Sequence, residues 1–539
     1  MNKFSKASSY RVVLRDISLP YTMDAGHALE SAGKKLRAAG IKAERLYIFR
    51  RSVDARRPKD IRFLYSICAE CASLPTEQIL NKINATLLHC ADPAPMPGDR
   101  SLKGRVVVTG FGPCGIFAAL ALAKAGFCPI VLERGDEVDK RKEKVDLFLK
   151  TGLLDVDSNV QFGAGGAGTF SDGKLVTRIN DPLGEEVFET LCAFGAPQRI
   201  KMLAKPHVGT DNLLEVVRNA DNAIRALGGE ILYRTKLLGI KRNVSGEVVS
   251  VITSQGEIAC GALILALGHS ARDTYEMLME EGIALEAKDF SVGARVEHLQ
   301  EDIDRALYGD ADISILGHGE YTLSYREGDR GVYSFCMCPG GEVMCASSEE
   351  GGLVVNGMSN YARDGKNANA AIAVSVLRHD YGGTPQKAIA YQRSLERRAF
   401  EIAGGNYNAP VQTLGDFLSG GKGTEPQRVL PSFRGGEHHS LSDLATVLPS
   451  HVSEMMKKGF PIFEKRIRGY ACSDAVLTGV ETRTSAPVRI LRNEDLSAPG
   501  CGNLYPAGEG AGYAGGITSA AIDGLKIAYK VISTYSPTK

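Results

Sequence analysis

The feature that most constrains the fold is a glycine-rich turn between a short apolar strand and a helix of small residues, within residues 104–133. Residues 106–108 predict a β-branched strand, and Gly110, Gly112 and Gly115 follow it. In such a strand–turn–helix unit, the first glycine permits the tight turn and the second lets a pyrophosphate approach the backbone. The third lets the helix pack closely on the strand. The stretch predicts a Rossmann-like α/β domain that binds a dinucleotide.

The residues at the two ends of this predicted helix–strand segment support that reading. Pro113 and Cys114 begin the helix, where unpaired N–H groups and the positive end of the helix dipole attract phosphates. Glu133 ends the second strand, where its carboxylate can accept both hydroxyls of an adenosine ribose, and Arg134 follows it. Because a carboxylate there repels a 2′-phosphate, the site disfavours an NADP-type ligand. A glycine-rich turn without a ligand is the alternative.

Composition argues against several classes of protein. The 539 residues carry a formal net charge of +1, which gives no overall attraction to nucleic acid or acidic membranes. The first residues lack the apolar run of a secretory signal, and no apolar stretch reaches ~20 residues, so we expect neither a signal nor a membrane span. Twelve cysteines in a chain of this length do not suggest a disulfide framework, which favours a reducing, cytoplasmic location.

Four segments divide the chain. Residues 1–97 predict a small α+β domain of ferredoxin-like type, which ends in a proline-rich linker. Residues 98–290 hold the first part of the dinucleotide-binding domain, 291–465 an inserted α+β substrate domain, and 466–539 the second part of the discontinuous first domain. Further helices are expected at 76–88, 368–376, 385–399 and 449–458.

A second glycine-rich turn near the C-terminus favours FAD over NAD. A flavin nucleotide is longer than the first unit, so its ribityl–flavin half needs a further strand-to-helix turn. Gly508 and Glu509 follow the last apolar strand, where an acid can hold ribityl hydroxyls or organise water. Gly515 and Gly516 let the next helix approach the isoalloxazine. The N–H groups of Gly516 and Ile517 then face flavin N1 and the C2 carbonyl, where negative charge collects on reduction.

A third glycine-rich segment, residues 161–174, contains five glycines. Its N–H groups can form a nest for the pyrophosphate, with polar side chains closing over the cofactor. A flexible surface loop is the alternative. Leu237 and Gly268, which ends a buried strand, complete the predicted cofactor contacts. Those within the segment are Gly163, Gly165, Gly166, Gly168, Thr169, Asp172 and Lys174.

These motifs make the chain resemble flavoproteins of the glutathione-reductase-related superfamily. Within it, residues 50–59, 161–175 and 334–341 are similar to the bacterial "uncharacterised FAD-dependent dehydrogenase" family, and the resemblance covers nearly the whole chain. It implies FAD and a hydride-transfer fold, but no particular substrate. Outside the three glycine-rich segments described above, the sequence holds no further GxGxxG for NAD(P)H, and no CxxxxC pair lies beside the first motif. NAD(P)H, as a possible reductant, would therefore dock transiently.

Cys336, Cys338 and His207 are the candidate catalytic residues. On a strand, Cys336 and Cys338 point to the same face, and a thiol near the flavin can be redox-active or position a substrate. Together with Cys345 they fit zinc poorly, because zinc takes about four ligands, so we expect no metal. Buried, inert cysteines are the alternative. His207 is considered as an acid–base group, although segment 207–211 also fits a helix cap.

Two groups of arginines have competing interpretations. Arg483 and Arg489 can hold a carboxylate or phosphate of the substrate, or form ion pairs. A basic loop in the first domain can contact nucleic acid or an acidic partner, or it can be a solvated loop or an interdomain contact. That loop carries Arg50, Arg51, Arg56 and Arg57.

The combined expectation is a FAD-dependent oxidoreductase that transfers hydride between flavin N5 and a small substrate or NAD(P)H. The substrate is expected near Cys338, beneath the inserted domain. Two alternatives stay open: a flavoprotein that acts on RNA through its basic N-terminal domain, and a non-catalytic scaffold or sensor that holds FAD.

Overall fold

The computed structural model describes residues 10–177 and 179–537. Its first domain consists of β1 (Tyr10–Pro20), α1 (Gly26–Ala38), β2 (Ala43–Asp54), β3 (Arg62–Cys71), α2 (Glu77–Lys82) and β4 (Ala85–Leu87). The strands form an antiparallel sheet in the order β2-β3-β1-β4, with the element order of a β-α-β-β-α-β unit.

The helix expected at 76–88 is shorter than predicted. It ends at Lys82, and Asn84 adopts a left-handed backbone conformation with φ 54°. That conformation does not continue a helix. The chain then forms β4, which pairs with β1 and buries Ala85.

The next region carries the predicted dinucleotide unit. Its elements are β5 (Arg100–Ser101), β6 (Val106–Thr109), α3 (Pro113–Lys124), β7 (Ile130–Leu132), α4 (Val138–Thr151), α5 (Leu183–Ala193), α6 (Thr210–Ala226), β8 (Glu230–Leu232), β9 (Leu237–Arg242), β10 (Val248–Thr253), β11 (Gly256–Ala259), β12 (Ala262–Leu265), α7 (Arg272–Glu280) and β13 (Leu285–Ala287). Strands β9 to β11 form a separate antiparallel meander.

The inserted region follows. Its elements are β14 (Phe290–Leu299), α8 (Gln300–Tyr308), α9 (Ile313–Leu316), β15 (Ser324–Glu327), β16 (Arg330–Cys338), β17 (Glu342–Cys345), β18 (Val355–Met358), β19 (Asn367–Val376), α10 (Arg378–Tyr381), α11 (Pro385–Ile402), β20 (Ala409–Thr413), α12 (Leu414–Ser419), β21 (His439–Leu441), α13 (Ser450–Glu464) and β22 (Val476–Glu481). A seven-stranded sheet runs in the order β15-β16-β19-β14-β22-β20-β21.

The helix expected at 368–376 is wrong, because these residues form strand β19. Alanines favour helix in isolation, but β19 lies between β14 and β16 and pairs with both. Nine of its ten residues are buried. Small side chains fit a strand that is covered on both faces, so tertiary packing decides the conformation here.

The C-terminal region returns to the parallel sheet. It contains β23 (Val488–Ile490), β24 (Leu504–Pro506), α14 (Ile517–Thr534) and β25 (Tyr535–Ser536). The parallel sheet has the order β24-β12-β6-β7-β8, so two distant chain segments share it. Strand β22, which follows residue 466, still belongs to the seven-stranded sheet, and β23 and β24 come after it. Across the described ranges, no helix is long and apolar enough to cross a membrane.

Candidate functional site

A cavity of about 380 Å³ lies at the carboxyl ends of β6, β12 and β24, where Gly110, Ala266 and Ala507 line it. Ligands of open α/β sheets bind at this edge. The cavity is lined by Glu133 and Leu237 and also by Phe335, Cys336 and Glu481, so both halves of the parallel sheet and the inserted region contribute to its wall.

The first glycine turn combines close packing with an open wall. A Cβ on Gly110, whose φ is 101°, would lie 2.2 Å from the carbonyl oxygen of Ala266, and one on Gly115 would lie 1.9 Å from that of Gly110. A Cβ on Gly112 would meet no heavy atom closer than 3.7 Å, and Gly112 lines the cavity. Thus Gly110 and Gly115 are required by the fold, and Gly112 leaves room for a ligand at the start of α3.

The carboxylate of Glu133 joins the first glycine-rich turn to the glycine-rich segment of residues 161–174. It accepts hydrogen bonds from the backbone N–H groups of Phe111, Gly135 and Gly163, each at 2.9 Å. An ionised carboxylate has about four acceptor positions, so roughly one is left for a ribose hydroxyl instead of the two expected. Glu133 also lines the cavity.

Arg141, which the sequence analysis did not single out, holds the segment in place. Its buried guanidinium donates to the carbonyls of Asn159 at 2.9 Å, Val160 at 2.9 Å and Ala164 at 2.6 Å, and to that of Gly163 at 3.3 Å. Burial lowers its pKa to about 10, so the group stays charged at neutral pH. An arginine among the other charged residues of α4 carries no local sign of this role.

The predicted residues of the segment separate into two sets. Lining the cavity are Gly163, Gly166, Gly168, Asp172 and Lys174. Gly165 and Thr169 instead face a smaller apolar cavity behind α3. The segment is therefore a folded wall of the cavity.

Asp172 is occupied by protein cations. Its buried carboxylate accepts from Arg363 at 3.0 and 2.6 Å and from Lys174 at 2.5 Å. Arg363 also donates to Glu320 at 2.6 Å. This ion-pair cluster fixes the segment to the inserted region.

One hydrogen-bond donor of Arg134, the residue after Glu133, has no partner among the described residues. The Arg134 guanidinium donates to Asp273 at 3.2 and 2.5 Å and lies 4.2 Å from the ring centre of Phe162. The unpaired donor is the buried Nε. Arg134 and Leu237 both line the cavity, as predicted, together with Lys236. An unpaired buried donor at a cavity wall is a feature that a polar ligand can satisfy.

A second helix begins at the same cavity. Gly515 and Gly516 line it, and a Cβ on either would meet no heavy atom within 4 Å. The same holds for Gly268, whose φ is 73°. Ile517, the first residue of α14, lines it too, so the N-termini of α3 and α14 both open onto one space. Such termini favour negatively charged groups.

Close packing explains how the two helices converge. A Cβ on Gly524 in α14 would lie 2.2 Å from the carbonyl oxygen of Cys114 in α3, and one on Gly508 would lie 2.8 Å from the Cys114 Cβ. Gly508 therefore permits close packing against Cys114 and lies behind the cavity wall. Glu509 reaches the cavity, where burial raises its pKa to about 7.

The part of the cavity wall that the inserted region forms contains a thiol and an acid. Cys336 and Glu481 line it, whereas Cys338 is fully buried behind it. Arg295 donates to Glu481 at 2.9 Å and to the carbonyl of Cys336 at 2.6 Å. Burial raises the pKa of Glu481 to about 7 despite this arginine. Glu481 and Arg295 come from strands far apart in sequence and were missed.

The remaining candidate residues either do not line the cavity or are already paired with other side chains. His207 does not line it; the imidazole lies 3.1 Å from the Tyr361 carbonyl, and burial lowers its pKa to about 4. Arg483 lines the cavity but pairs with Glu396 at 3.1 and 2.8 Å, and Arg489 pairs with Glu286 at 3.2 Å. The ion-pair interpretation therefore describes both arginines. No group of three or more metal-ligating side chains occurs within residues 10–177 and 179–537.

The predicted basic loop of the first domain is partly strand, because Arg50 and Arg51 lie in β2, and Arg51 makes an interdomain contact through its backbone. The N–H of Arg51 donates to Met202 at 2.6 Å, and the Arg51 carbonyl accepts from Ala204 at 2.9 Å. Arg56 pairs with Asp54 at 2.6 Å, and Arg50 and Arg57 are exposed.

Comparison with known proteins bears on the cofactor. The family described as "FAD-dependent protein, C-terminal domain-like" matches residues 289–484, which confirms FAD as the expected cofactor. The glycine-lined wall, the two helix N-termini and the unpaired Arg134 donor fit such a molecule.

Several solved structures align with the chain. They include L-proline dehydrogenase from P. horikoshii, with 14% identity over 80% of this chain and 91% of that one and a TM-score of 0.30. L-Amino acid deaminase from Proteus myxofaciens, in complex with anthranilate, has 12% identity over 83% and 94% with a TM-score of 0.32. A variant of the halogenase PltM in complex with FAD has 12% identity over 79% and 69% with a TM-score of 0.37.

An uncharacterised protein of Clostridium beijerinckii (strain ATCC 51743 / NCIMB 8052) is similar over almost its whole length. The two sequences are 46% identical over 514 residues, which cover 94% of this chain and 96% of the Clostridium protein. The chain therefore belongs to the same family as this protein, and its residues 289–484 carry the FAD-dependent protein C-terminal domain.

Proposed function

We propose that this protein is a FAD-dependent oxidoreductase that acts on a small molecule at the Cys336 end of the cavity. The observation that carries the proposal is the convergence of two helix N-termini and four unobstructed glycines, Gly112, Gly268, Gly515 and Gly516, on one cavity. When bound, FAD supplies two-electron chemistry, such as hydride exchange with a small substrate or with NAD(P)H, that protein side chains lack.

The chain's own residues provide binding and orientation along the cavity. Glu133 and Leu237 hold the adenosine end, and Gly112 at the start of α3 contacts the diphosphate. Gly515 and Gly516 hold the flavin end, where the positive end of α14 favours negative charge on the ring. This assignment rests on the glycine turn and acid of the first unit and on the C-terminal glycine turn, all of which line the same cavity.

At the reactive end, Glu481 is suited to hold or release a proton. A pKa near 7 lets it change protonation state at neutral pH, and Arg295 keeps the carboxylate in one orientation. His269 adds no positive charge there, because burial and the nearby Arg483 and Arg272 lower its pKa to about 3. The substrate is thus placed beside Cys336 and Glu481, and Cys338 lies behind this wall.

FAD titration of the purified protein, followed by flavin fluorescence, tests the binding part. Gly112→Ala and Gly515→Ala add one methyl group where the backbone permits alanine and no neighbour blocks it, so both variants should fold. Each should weaken FAD binding by about tenfold or more, since one lost charge-assisted hydrogen bond is worth about 1.5–3 kcal/mol. Gly502→Ala, equally unobstructed but away from the cavity, is the matched control.

Anaerobic mixing of the FAD-loaded protein with NADH, NADPH or a metabolite pool tests the catalytic part. Bleaching of the flavin absorbance by at least one donor is the expected result. Tight FAD without bleaching by any donor would favour the scaffold or sensor alternative, and equal FAD affinity for all three glycine variants would refute the assigned site.

A further inference from the structure

The Cys336-Met337-Cys338 segment lies on an irregular part of β16. Its pairing with β19 shifts between Phe335 and Cys338, so three steps along β16 oppose two along β19. Cys336 itself has φ 44°, a left-handed conformation that residues other than glycine rarely adopt. This is a β-bulge, and bulges commonly redirect side chains beside functional sites.

The bulge places the two cysteines in contact. A regular strand separates residues i and i+2 by about 6.6 Å, near the upper limit of about 6.8 Å between the Cα atoms of a disulfide. The extra residue compresses β16 relative to that spacing. The Cys338 thiol donates to the Cys336 carbonyl at 3.3 Å.

The two thiols differ in access and in acidity. Cys336 lines the cavity, and Cys338 is fully buried. The neighbouring Cys338 thiol, together with Lys174 and Arg295, lowers the pKa of Cys336, whereas the pKa of Cys338 is raised. Cys114 also lines the cavity, but burial raises its pKa well above the usual range. Cys336 is thus the cavity thiol suited to attack.

Arg295 supports both partners. Its guanidinium donates to the Cys336 carbonyl at 2.6 Å, lies 3.8 Å from the Cys338 sulfur, and is fixed by Asn369 at 2.8 Å. A fixed cation beside two sulfurs stabilises a thiolate on either of them.

We propose that Cys336 and Cys338 form a dithiol–disulfide pair whose substrate is a small-molecule disulfide in the cavity. The Cys336 thiolate attacks one substrate sulfur, the substrate S–S bond breaks, and one half leaves as a thiol after taking a proton. Cys338 then attacks the Cys336 sulfur and gives its proton to the second leaving thiolate. Two protein thiols become one disulfide, and the substrate disulfide becomes two thiols, with two electrons transferred.

This proposal names a substrate class for the proposed oxidoreductase. It rests on that function only for the later step, in which electrons return to Cys336 and Cys338. The first half-reaction is measurable without turnover. Full-length, fully reduced protein is incubated with glutathione disulfide, the remaining thiols are alkylated, and tryptic peptides are analysed by mass spectrometry. Flavin absorbance of the same sample reports separately whether FAD is bound.

The wild-type protein should acquire a disulfide between Cys336 and Cys338. Cys338→Ser should accumulate a glutathione adduct on Cys336, because the resolving thiol is missing, and Cys336→Ser should form neither product. Cys345→Ser, which leaves only the two proposed cysteines between Arg330 and Arg363, and Cys90→Ser, which removes an exposed cysteine, should both behave like wild type.

In the wild-type protein, one adverse result is that Cys336 and Cys338 are both still found alkylated at a time when Cys90 is already glutathionylated. That result would overturn the proposal. So would an adduct on Cys338 in preference to Cys336. Because the wild-type measurement decides by itself, a variant that fails to fold leaves the proposal testable.

Discussion

Replacing Arg141 with methionine removes the guanidinium that organises the glycine-rich segment of residues 161–174. Methionine has a similar length and no donor, so the carbonyls of Asn159, Val160, Gly163 and Ala164 lose their shared partner. These residues adjoin or line the cavity at the point where Glu133 also bonds to Gly163. The change therefore loosens the wall while leaving every proposed ligand-binding group in the sequence.

The expected magnitude follows from the number of lost bonds. A buried polar group left unsatisfied costs about 1–3 kcal/mol, and four carbonyls are affected. The variant also escapes the cost of burying a charge, which is evident in the lowered pKa of Arg141. Because these two effects oppose each other, we expect a net loss of about 3–5 kcal/mol. This free energy corresponds to a roughly hundredfold to few-thousandfold rise in the equilibrium constant for local opening of the segment.

Hydrogen–deuterium exchange of the amides in residues 159–168 measures this opening directly, and FAD titration measures its effect on binding. Arg141→Lys keeps the charge but not the planar fork, so its exchange rates should lie between those of methionine and wild type. Arg218→Met is the matched control, because Arg218 pairs with Asp139 on the surface, where such pairs contribute about 0–1 kcal/mol. Unchanged exchange and FAD affinity in Arg141→Met would refute the reasoning.

Further expectations concern the titrating groups and the first turn. The rate of Cys336 alkylation by iodoacetamide should reach its half-maximum at a pH clearly below the ordinary thiol pKa of about 8.5, because the pKa of Cys336 is lowered, and a half-maximum near the ordinary value would contradict the assignment. Glu481→Gln should match wild-type thermal stability at about pH 4. It should gain on wild type as the pH rises to about 7, by up to about 3 kcal/mol, and stay ahead above that pH. The folded state binds the Glu481 proton more tightly than the unfolded chain does, so wild-type stability falls across that interval; parallel melting curves at all pH values would exclude this. Gly115→Ala should yield insoluble protein, because its Cβ would lie 1.9 Å from a backbone oxygen, and a soluble variant with normal melting would contradict the packing described.

The cofactor-binding motifs are local enough to be predicted from the sequence. The spacing of Gly110, Gly112 and Gly115 and the position of Glu133 follow from backbone geometry within one strand–helix–strand unit. In the structure Gly112, Glu133 and Gly516 line the same cavity, although Gly516 is far away in the chain. The resemblance to the glutathione-reductase-related superfamily and the four-segment domain division stay predictions.

The residues that sequence reasoning missed depend on contacts between distant segments. Arg295 meets Glu481 from 186 positions away, and Arg141 meets carbonyls about twenty residues later. Neither lies in a motif with fixed spacing. The strand at Asn367–Val376 was missed for a related reason, since its alanines favour helix locally and only the flanking strands make an extended conformation stable.

The most direct test of the central claim is a crystal structure of the FAD-loaded protein. The account predicts density for one FAD that extends from Glu133 and Leu237, past the N-termini of α3 and α14, to a flavin ring beside Cys336 and Glu481. Density for FAD outside this cavity, or a flavin that contacts neither Gly515 nor Gly516, would contradict it.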